Sequence, residues 1–307
     1  MRVLAILGPT ATGKTSLAVR IAHELGSEII SADSRQVYRG LDIGTGKDLE
    51  EYAAVDPPVP HHLIDVADPR RNYTLFDYQR DCFDVLGAKA GQQPWSHGKT
   101  PMLLVGGSGL YAEAVLKPYR LADVPEDREL RRALEHRSKA ELAERLRAQS
   151  PAMFHRTDHS SRRRLIRALE VVAAQRRGPV RFSELPETAI QYRILVIRAA
   201  RDHLRRRIRQ RLAERLKQGM VAEVKGLIDD GVPAARLDRL GLEYREVTSY
   251  LQGRSTYEDM VQRLATKIGQ FAKRQDTWFR GMPRRGLPVS WIRPGDVEAV
   301  HQVVERW

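Results

Sequence analysis

The chain has a single cysteine, Cys82, among 307 residues. One thiol excludes an internal disulfide and fits a reducing compartment, the cytoplasm. No apolar run approaches the roughly eighteen residues that a membrane span needs. The N-terminus carries one arginine and then an apolar segment, so no signal peptide is expected. Metal-binding patterns are also missing. His61 and His62 are adjacent, do not share a strand face, and have no nearby Cys or His to complete a zinc set. There is no internal repeat and no low-complexity tract.

Positive charge is abundant. The formal net charge is +13 and the pI is near 10.1, an excess expected of a polyanion binder, most simply of nucleic acid. Two stretches hold it. Residues 119–181 contain sixteen Lys+Arg against nine Asp+Glu, and residues 198–217 contain nine against two, which leaves the rest near neutrality.

The apolar run Val3–Leu7 predicts a buried parallel strand. Gly8-Pro9-Thr10-Ala11-Thr12-Gly13-Lys14-Thr15 follows at once, matches GxxxxGK[ST], and leads into apolar residues at helical spacing. Strand, glycine loop and helix start come in the order a phosphate cradle requires. Backbone N–H groups point inward, Lys14 adds a point charge, and the Thr15 hydroxyl can hold Mg2+. ATP, GTP and a non-nucleotide diphosphate all present the oxygens such a loop grips. A second short strand, Glu28–Ala32, ends at Asp33-Ser34-Arg35-Gln36, where ligands bind in α/β sheets. Asp33 is a candidate magnesium-side carboxylate or general base, or alternatively a helix N-cap. Gly44-Thr45-Gly46-Lys47 is either a ligand loop or a turn. A strand at 61–66, a helix at 73–90, a polar loop at 91–100 and a strand at 101–105 follow. That last strand lacks the terminal Asp that ordinary P-loop ATPases place there for magnesium, which counts against a standard ATPase.

From residue 119 nothing reads as strand, and residues 119–181 are expected to form a helical basic insertion. It has helix formers to Gln149, a break at Pro151 and a helix from Arg162 to Gly178. Arg167 lies one turn from Arg163 and Arg164, and the three suit phosphate contact. Strand character returns at 192–197, followed by helices at 202–217, from 221, from 241 and at 259–278. Arg207 and Arg211 share a helix face, and arginine fits diphosphate oxygens. Lys273–Arg280 interleaves cations with Trp278 and Phe279, a pattern suited either to base stacking or to core packing with snorkelling cations.

GPTATGKT, SADSRQVYRGLDIGTGK, HHLIDV, GGSGLY, RRLIRALEV and AKRQDTWFR occur in this order. The chain thereby resembles the tRNA dimethylallyltransferases, or tRNA isopentenyltransferases, from its first strand to about Arg280. The resemblance implies a P-loop-type α/β core, residues 1–118 and 182–307, with C-terminal helices and a basic helical insertion at 119–181. It implies prenyl transfer from dimethylallyl diphosphate to the exocyclic amine of an adenosine beside the tRNA anticodon, with Mg2+ and without ATP. Gly8 and Pro9 open the loop, and Thr10 to Thr15 match the diphosphate grip. Asp33 matches the catalytic carboxylate, and Ser34, Arg35 and Gln36 the base-recognition residues. Arg207 or Arg211 matches the arginine over the diphosphate. Arg163, Arg164, Leu165, Ile166 and Arg167 match tRNA-contacting segments, as do Leu240, Tyr244, Arg245, Lys273, Arg274, Gln275, Thr277, Trp278 and Arg280. The expected partner is the tRNA anticodon stem-loop, met by a cytoplasmic monomer with no membrane attachment. The readings set against this are prenylation of free adenosine nucleotides, an ATP-dependent small-molecule kinase, and an inactive RNA-binding protein. Ser150 and Ser161 stand where the family often has Asp, Glu243 stands in a usual Ile-Gly-Tyr, and GGTGLY appears as GGSGLY. No C-terminal Cys/His pattern suggests the zinc finger of eukaryotic members.

Overall fold

Apolar runs too short for helices become strands of one parallel sheet. The computed structural model describes residues 1–92, 100–117, 119–186 and 189–307, without the side chains of 88–92. Most of the polar stretch expected at 91–100 therefore lies outside the described residues. In chain order the first elements are β1 (Arg2–Leu7), α1 (Lys14–Leu25), β2 (Ile29–Ser31), α2 (Leu49–Ala53) and β3 (His61–His62). Next come α3 (Leu75–Gln92), β4 (Met102–Gly106) and α4 (Gly109–Leu116). Four helices follow: α5 (Arg128–Leu134), α6 (Lys139–Gln149), α7 (Pro151–Arg156) and α8 (Arg162–Arg177). The chain then forms β5 (Gln191–Ile197), α9 (Arg201–Lys217), α10 (Met220–Asp229), α11 (Ala234–Leu240), α12 (Leu242–Leu251) and α13 (Tyr257–Gly281). It ends with β6 (Ser290–Ile292) and α14 (Val297–Glu305). The chain forms two compact units, Met1–Pro118 with Pro186–Trp307, and Tyr119–Leu185.

In the larger unit the strands lie in the order β3-β2-β4-β1-β5-β6, and every pair is parallel. β1 is central, with Ala5 opposite Leu104 on one side and Ile194 on the other. Its side chains alternate between two cores, as strand geometry requires. Val3, Ala5 and Leu7 pack with Tyr78, Cys82 and Phe279, while Leu4 and Ile6 pack with Leu17, Ile21 and Val300. Burial pushes the Cys82 thiol's pKa up, so it stays a protonated core group. A third core joins α9–α13 and receives Val37, Tyr38 and Leu41 from the segment after β2. Parallel pairing puts the turns after β1, β2 and β4 at one edge of the sheet, the carboxyl edge.

The smaller unit packs Leu134, Leu142, Leu146, Leu165 and Leu169 into its own core. The run of helix formers to Gln149 divides at Ser138, whose capping box with Glu141 starts α6. Ser150 and Ser161 cap α7 and α8 by accepting from the Met153 and Arg164 N–H groups. Serine caps about as well as aspartate, so at both departures from the family pattern the residue keeps a capping role. Pro151 starts a helix at its first position, where its missing N–H costs nothing. β6 and α14 add an edge strand and a final helix beyond the expected elements.

Candidate active site

Gly13 caps α1 with φ +78° and so turns the loop after β1 back over the helix start. Lys14 Nζ and the Thr12 hydroxyl both donate to the Pro9 carbonyl, each at 2.8 Å. The Lys14 ammonium is half-buried, and its pKa is lowered to about 8. Burial is the main cause, Asp33 opposes it, and Arg211 adds to it. Parallel pairing puts the phosphate loop and Asp33, the first carboxylate after β2, at the same edge of the sheet. Asp33 Oδ1 accepts the Arg35 N–H at 2.8 Å, an Asx turn at the strand's end rather than a helix cap. Among the described residues Asp33 Oδ2, the Thr15 hydroxyl and the Arg35 guanidinium have no hydrogen-bond partner.

The turn after β4 completes this edge. Ser108 Oγ accepts the Ser34 N–H at 3.1 Å, and the Ser108 N–H donates to the Ala32 carbonyl at 3.1 Å. A Cβ on Gly106 would overlap the Ala32 carbonyl, so this close approach needs glycine. Gln275 on α13 reaches into the same edge. It accepts the Thr10 N–H at 2.9 Å and donates to the Gly107 carbonyl at 2.9 Å.

Helix α9 brings its arginines to the loops. Arg207 Nη1 lies 3.7 Å from where a side chain on Gly13 would begin, and Arg211 pairs with Asp48. Both arginines singled out by the sequence therefore stand near the phosphate loop, Arg207 beside Gly13 and Arg211 close enough to lower the Lys14 pKa. The second glycine loop is a folded platform. Gly46, at φ +61°, leaves the space that the Arg215 guanidinium occupies. Lys47 is buried and donates to the Tyr38 carbonyl and to Asp42 and Asp65. Glu223 on α10 accepts the N–H groups of Asp42, Ile43 and Gly44 and the Tyr244 hydroxyl, at 2.6–3.0 Å. No sequence pattern marks Glu223 or Arg215, because their partners lie far upstream in the chain.

Several expected contact residues are placed otherwise. Leu165, Leu240 and Tyr244 are fully buried, so their side chains serve cores and not a surface. Gln275 is buried with both amide atoms engaged. Gln36 accepts from Ser31 and donates to the Gly46 carbonyl, at 3.0 and 2.8 Å. Arg167 braces the insertion through Glu170 and the Ala122 and Val124 carbonyls. Ile166 is partly buried against that core, and Arg164 pairs with Asp158. Arg163 is exposed with no partner among the described residues. Arg245 is exposed and bonds the Asp238 carbonyl. On α13, Lys273, Arg274, Thr277 and Arg280 are exposed; with Trp278 and Arg285, the first three and Gln270 line a cavity of about 520 Å³. Glu243 is half-buried in the first turn of α12, where the helix N-terminus favours an acid. Burial raises its pKa, Arg215 opposes this, and Asp33 adds to it.

A parallel sheet with a phosphate loop after its central strand and a carboxylate beside that loop defines a P-loop-type α/β enzyme of group transfer. The family model described as IPP transferase matches residues 36–282, and one described as isopentenyl transferase matches residues 1–54. "tRNA dimethylallyltransferase 2" of Pelobacter propionicus is 47% identical over 293 residues, covering 95% of this chain and 90% of that protein. "tRNA dimethylallyltransferase 1" of Syntrophus aciditrophicus is 46% identical over 304 residues, 98% and 96% of the two chains. The crystal structure of the full-length tRNA isopentenylpyrophosphate transferase from Bacillus halodurans superposes with TM-score 0.69 at 30% identity, covering 99% and 96%. The chain belongs to the IPP transferase family.

Proposed function

We propose that this enzyme transfers the dimethylallyl group of dimethylallyl diphosphate to the exocyclic amine of the adenosine beside the anticodon of tRNA, releasing pyrophosphate. The observation that carries the reading is that Asp33 and the phosphate loop lie at one edge of the sheet, linked through the turn after β4 by Ser108 and Gln275. The donor's carbon–oxygen bond breaks as the nitrogen–carbon bond forms, and the amine proton passes to Asp33. An adenine amine is a weak nucleophile because its lone pair is delocalised, so a base in contact with it is needed. Asp33 has a carboxylate oxygen without a partner for that task. Negative charge collects on the departing diphosphate, where Lys14, Arg207 and the N–H groups of residues 11–15 stabilise it. The free Thr15 hydroxyl is a hard oxygen donor that would suit Mg2+. Held by Thr15, such an ion would supply further charge neutralisation to the leaving group.

The adenosine must leave its stack to reach this edge. Arg35 and Ser34 are placed beside Asp33 to meet it. Exposed cations on α13 and Arg163 on the insertion are surfaces that suit the tRNA backbone. Among the described residues no helix is long and apolar enough to cross a membrane. The unpaired thiol and the tRNA substrate support a cytoplasmic enzyme, and we assign it as a monomer. The test is incubation with unmodified tRNA and dimethylallyl diphosphate, followed by mass analysis of the anticodon-loop fragment. Gain of one five-carbon prenyl group is expected. Faster prenylation of AMP, or phosphate transfer from ATP, would overturn the reading.

A further inference from the structure

Gln275 stands out on α13 because its neighbours Lys273 and Arg274 face solvent while it is only 7% exposed. A buried amide is retained only where its polar atoms are satisfied. Here both are, and both by backbone: Oε1 takes the Thr10 N–H, and Nε2 gives to the Gly107 carbonyl. These partners sit on the turns after β1 and β4, about a hundred positions apart in sequence, and a third element supplies the bridge. Around it the fit is close. A Cβ on Gly107 would overlap Gln275 Nε2, and one on Gly109 would overlap the Trp278 ring. The Thr10 N–H is thus turned toward α13 and is not one of the donors aimed at phosphate. What Gln275 does instead is fix the start of the loop whose later N–H groups, from Ala11 to Thr15, form the cradle.

We infer that Gln275 is a positioning residue of the phosphate loop, setting its grip on the diphosphate through Thr10 and Gly107 without touching the diphosphate. The inference rests on the proposed use of this loop for a prenyl diphosphate. The side-chain chemistry makes the role specific. Glutamine offers these two partners an acceptor oxygen and an NH2 donor, and of its near-isosteres only a protonated glutamate also pairs an acceptor with a donor in that way. In Gln275→Glu the carboxyl reproduces both bonds when neutral. When ionised it repels the Gly107 carbonyl and adds negative charge near the diphosphate. Gln275→Met keeps the volume and loses both bonds.

The experiment measures binding of inorganic pyrophosphate by calorimetry to the full chain, wild type and both variants, from pH 6 to pH 9. Folding of each variant is checked by thermal unfolding. Gln275→Met is expected to bind at least tenfold more weakly than wild type. Gln275→Glu is expected to approach wild type near pH 6 and to fall progressively behind it as pH rises. Expressing each value as a ratio to wild type at the same pH cancels the titration of pyrophosphate itself. A folded Gln275→Met with wild-type affinity, or a Gln275→Glu ratio that does not change with pH, overturns the inference and leaves the proposed function standing. Absence of pyrophosphate binding by the wild-type protein overturns both.

Discussion

At the scale of single residues, burial sets the charge that Lys14 brings to the site. Burial holds the Lys14 ammonium near a pKa of about 8, so its charge is present below that pH and lost above it. A bound diphosphate favours the charged form and raises that pKa. Affinity is therefore at its full value below pH 8 and falls as pH rises through the free-enzyme value, by up to about tenfold per pH unit. Pyrophosphate titrations from pH 7 to pH 9.5 are expected to show this inflection, and Lys14→Met should bind weakly and without it. Asp33→Ala should slow single-turnover prenyl transfer by about two to four orders of magnitude, the range for a lost general base. Binding of tRNA by filter retention should persist in that variant; its loss would make Asp33 a recognition residue instead of a base.

At the scale of elements, the loop at 41–47 is held by a side chain from α10 as well as by its own residues. Glu223 satisfies three consecutive N–H groups and one hydroxyl. Glu223→Ala leaves those donors unmatched and should cost about 3 kcal/mol in denaturant unfolding. Amide exchange at 42–44 should accelerate more than exchange in β1. The hub also shows what could be read from residues alone. Val3–Thr15 was legible because strand, loop and helix start are contiguous and each is marked locally. The position of Asp33 followed from its place at a strand end. Glu223, Arg215 and the engaged amide of Gln275 were not legible, since a polar residue on an amphipathic helix has the same local pattern whether it meets solvent or a loop from elsewhere in the fold. The three residues of β6 are too few for alternation to emerge, and the break at Ser138 lay hidden inside a run of good helix formers despite its SxxE signature. Leu165 and Tyr244 sat within motifs read as contacts, yet each is the apolar side of its helix.

For the whole molecule, the charge excess is the measurable quantity. Part of the insertion's positive charge is engaged internally: Arg131 and Arg167 on the buried Glu170, and Arg164 on Asp158. Arg163, exposed and without a partner among the described residues, is one of the cations left for a polyanion. Arg163→Ala should lower the slope of log affinity for tRNA against log salt by about one, with prenyl transfer at saturating tRNA little changed. An unchanged slope would mean that this side chain meets no phosphate.

The topology has a further consequence, for the order in which the protein is made. β1 pairs on one side with β4 and on the other with β5, whose residues lie some 190 positions later, beyond the whole insertion. As the chain leaves the ribosome, Tyr119–Leu185, with its own leucine core, emerges before the strand that covers the second edge of β1. The half-built sheet must wait with one edge of its most apolar strand open, and such edges invite mispairing. Synthesis thus places the small helical unit ahead of the catalytic edge, and the loop that grips the diphosphate gains its Gln275 tether only when nearly the entire polypeptide is available.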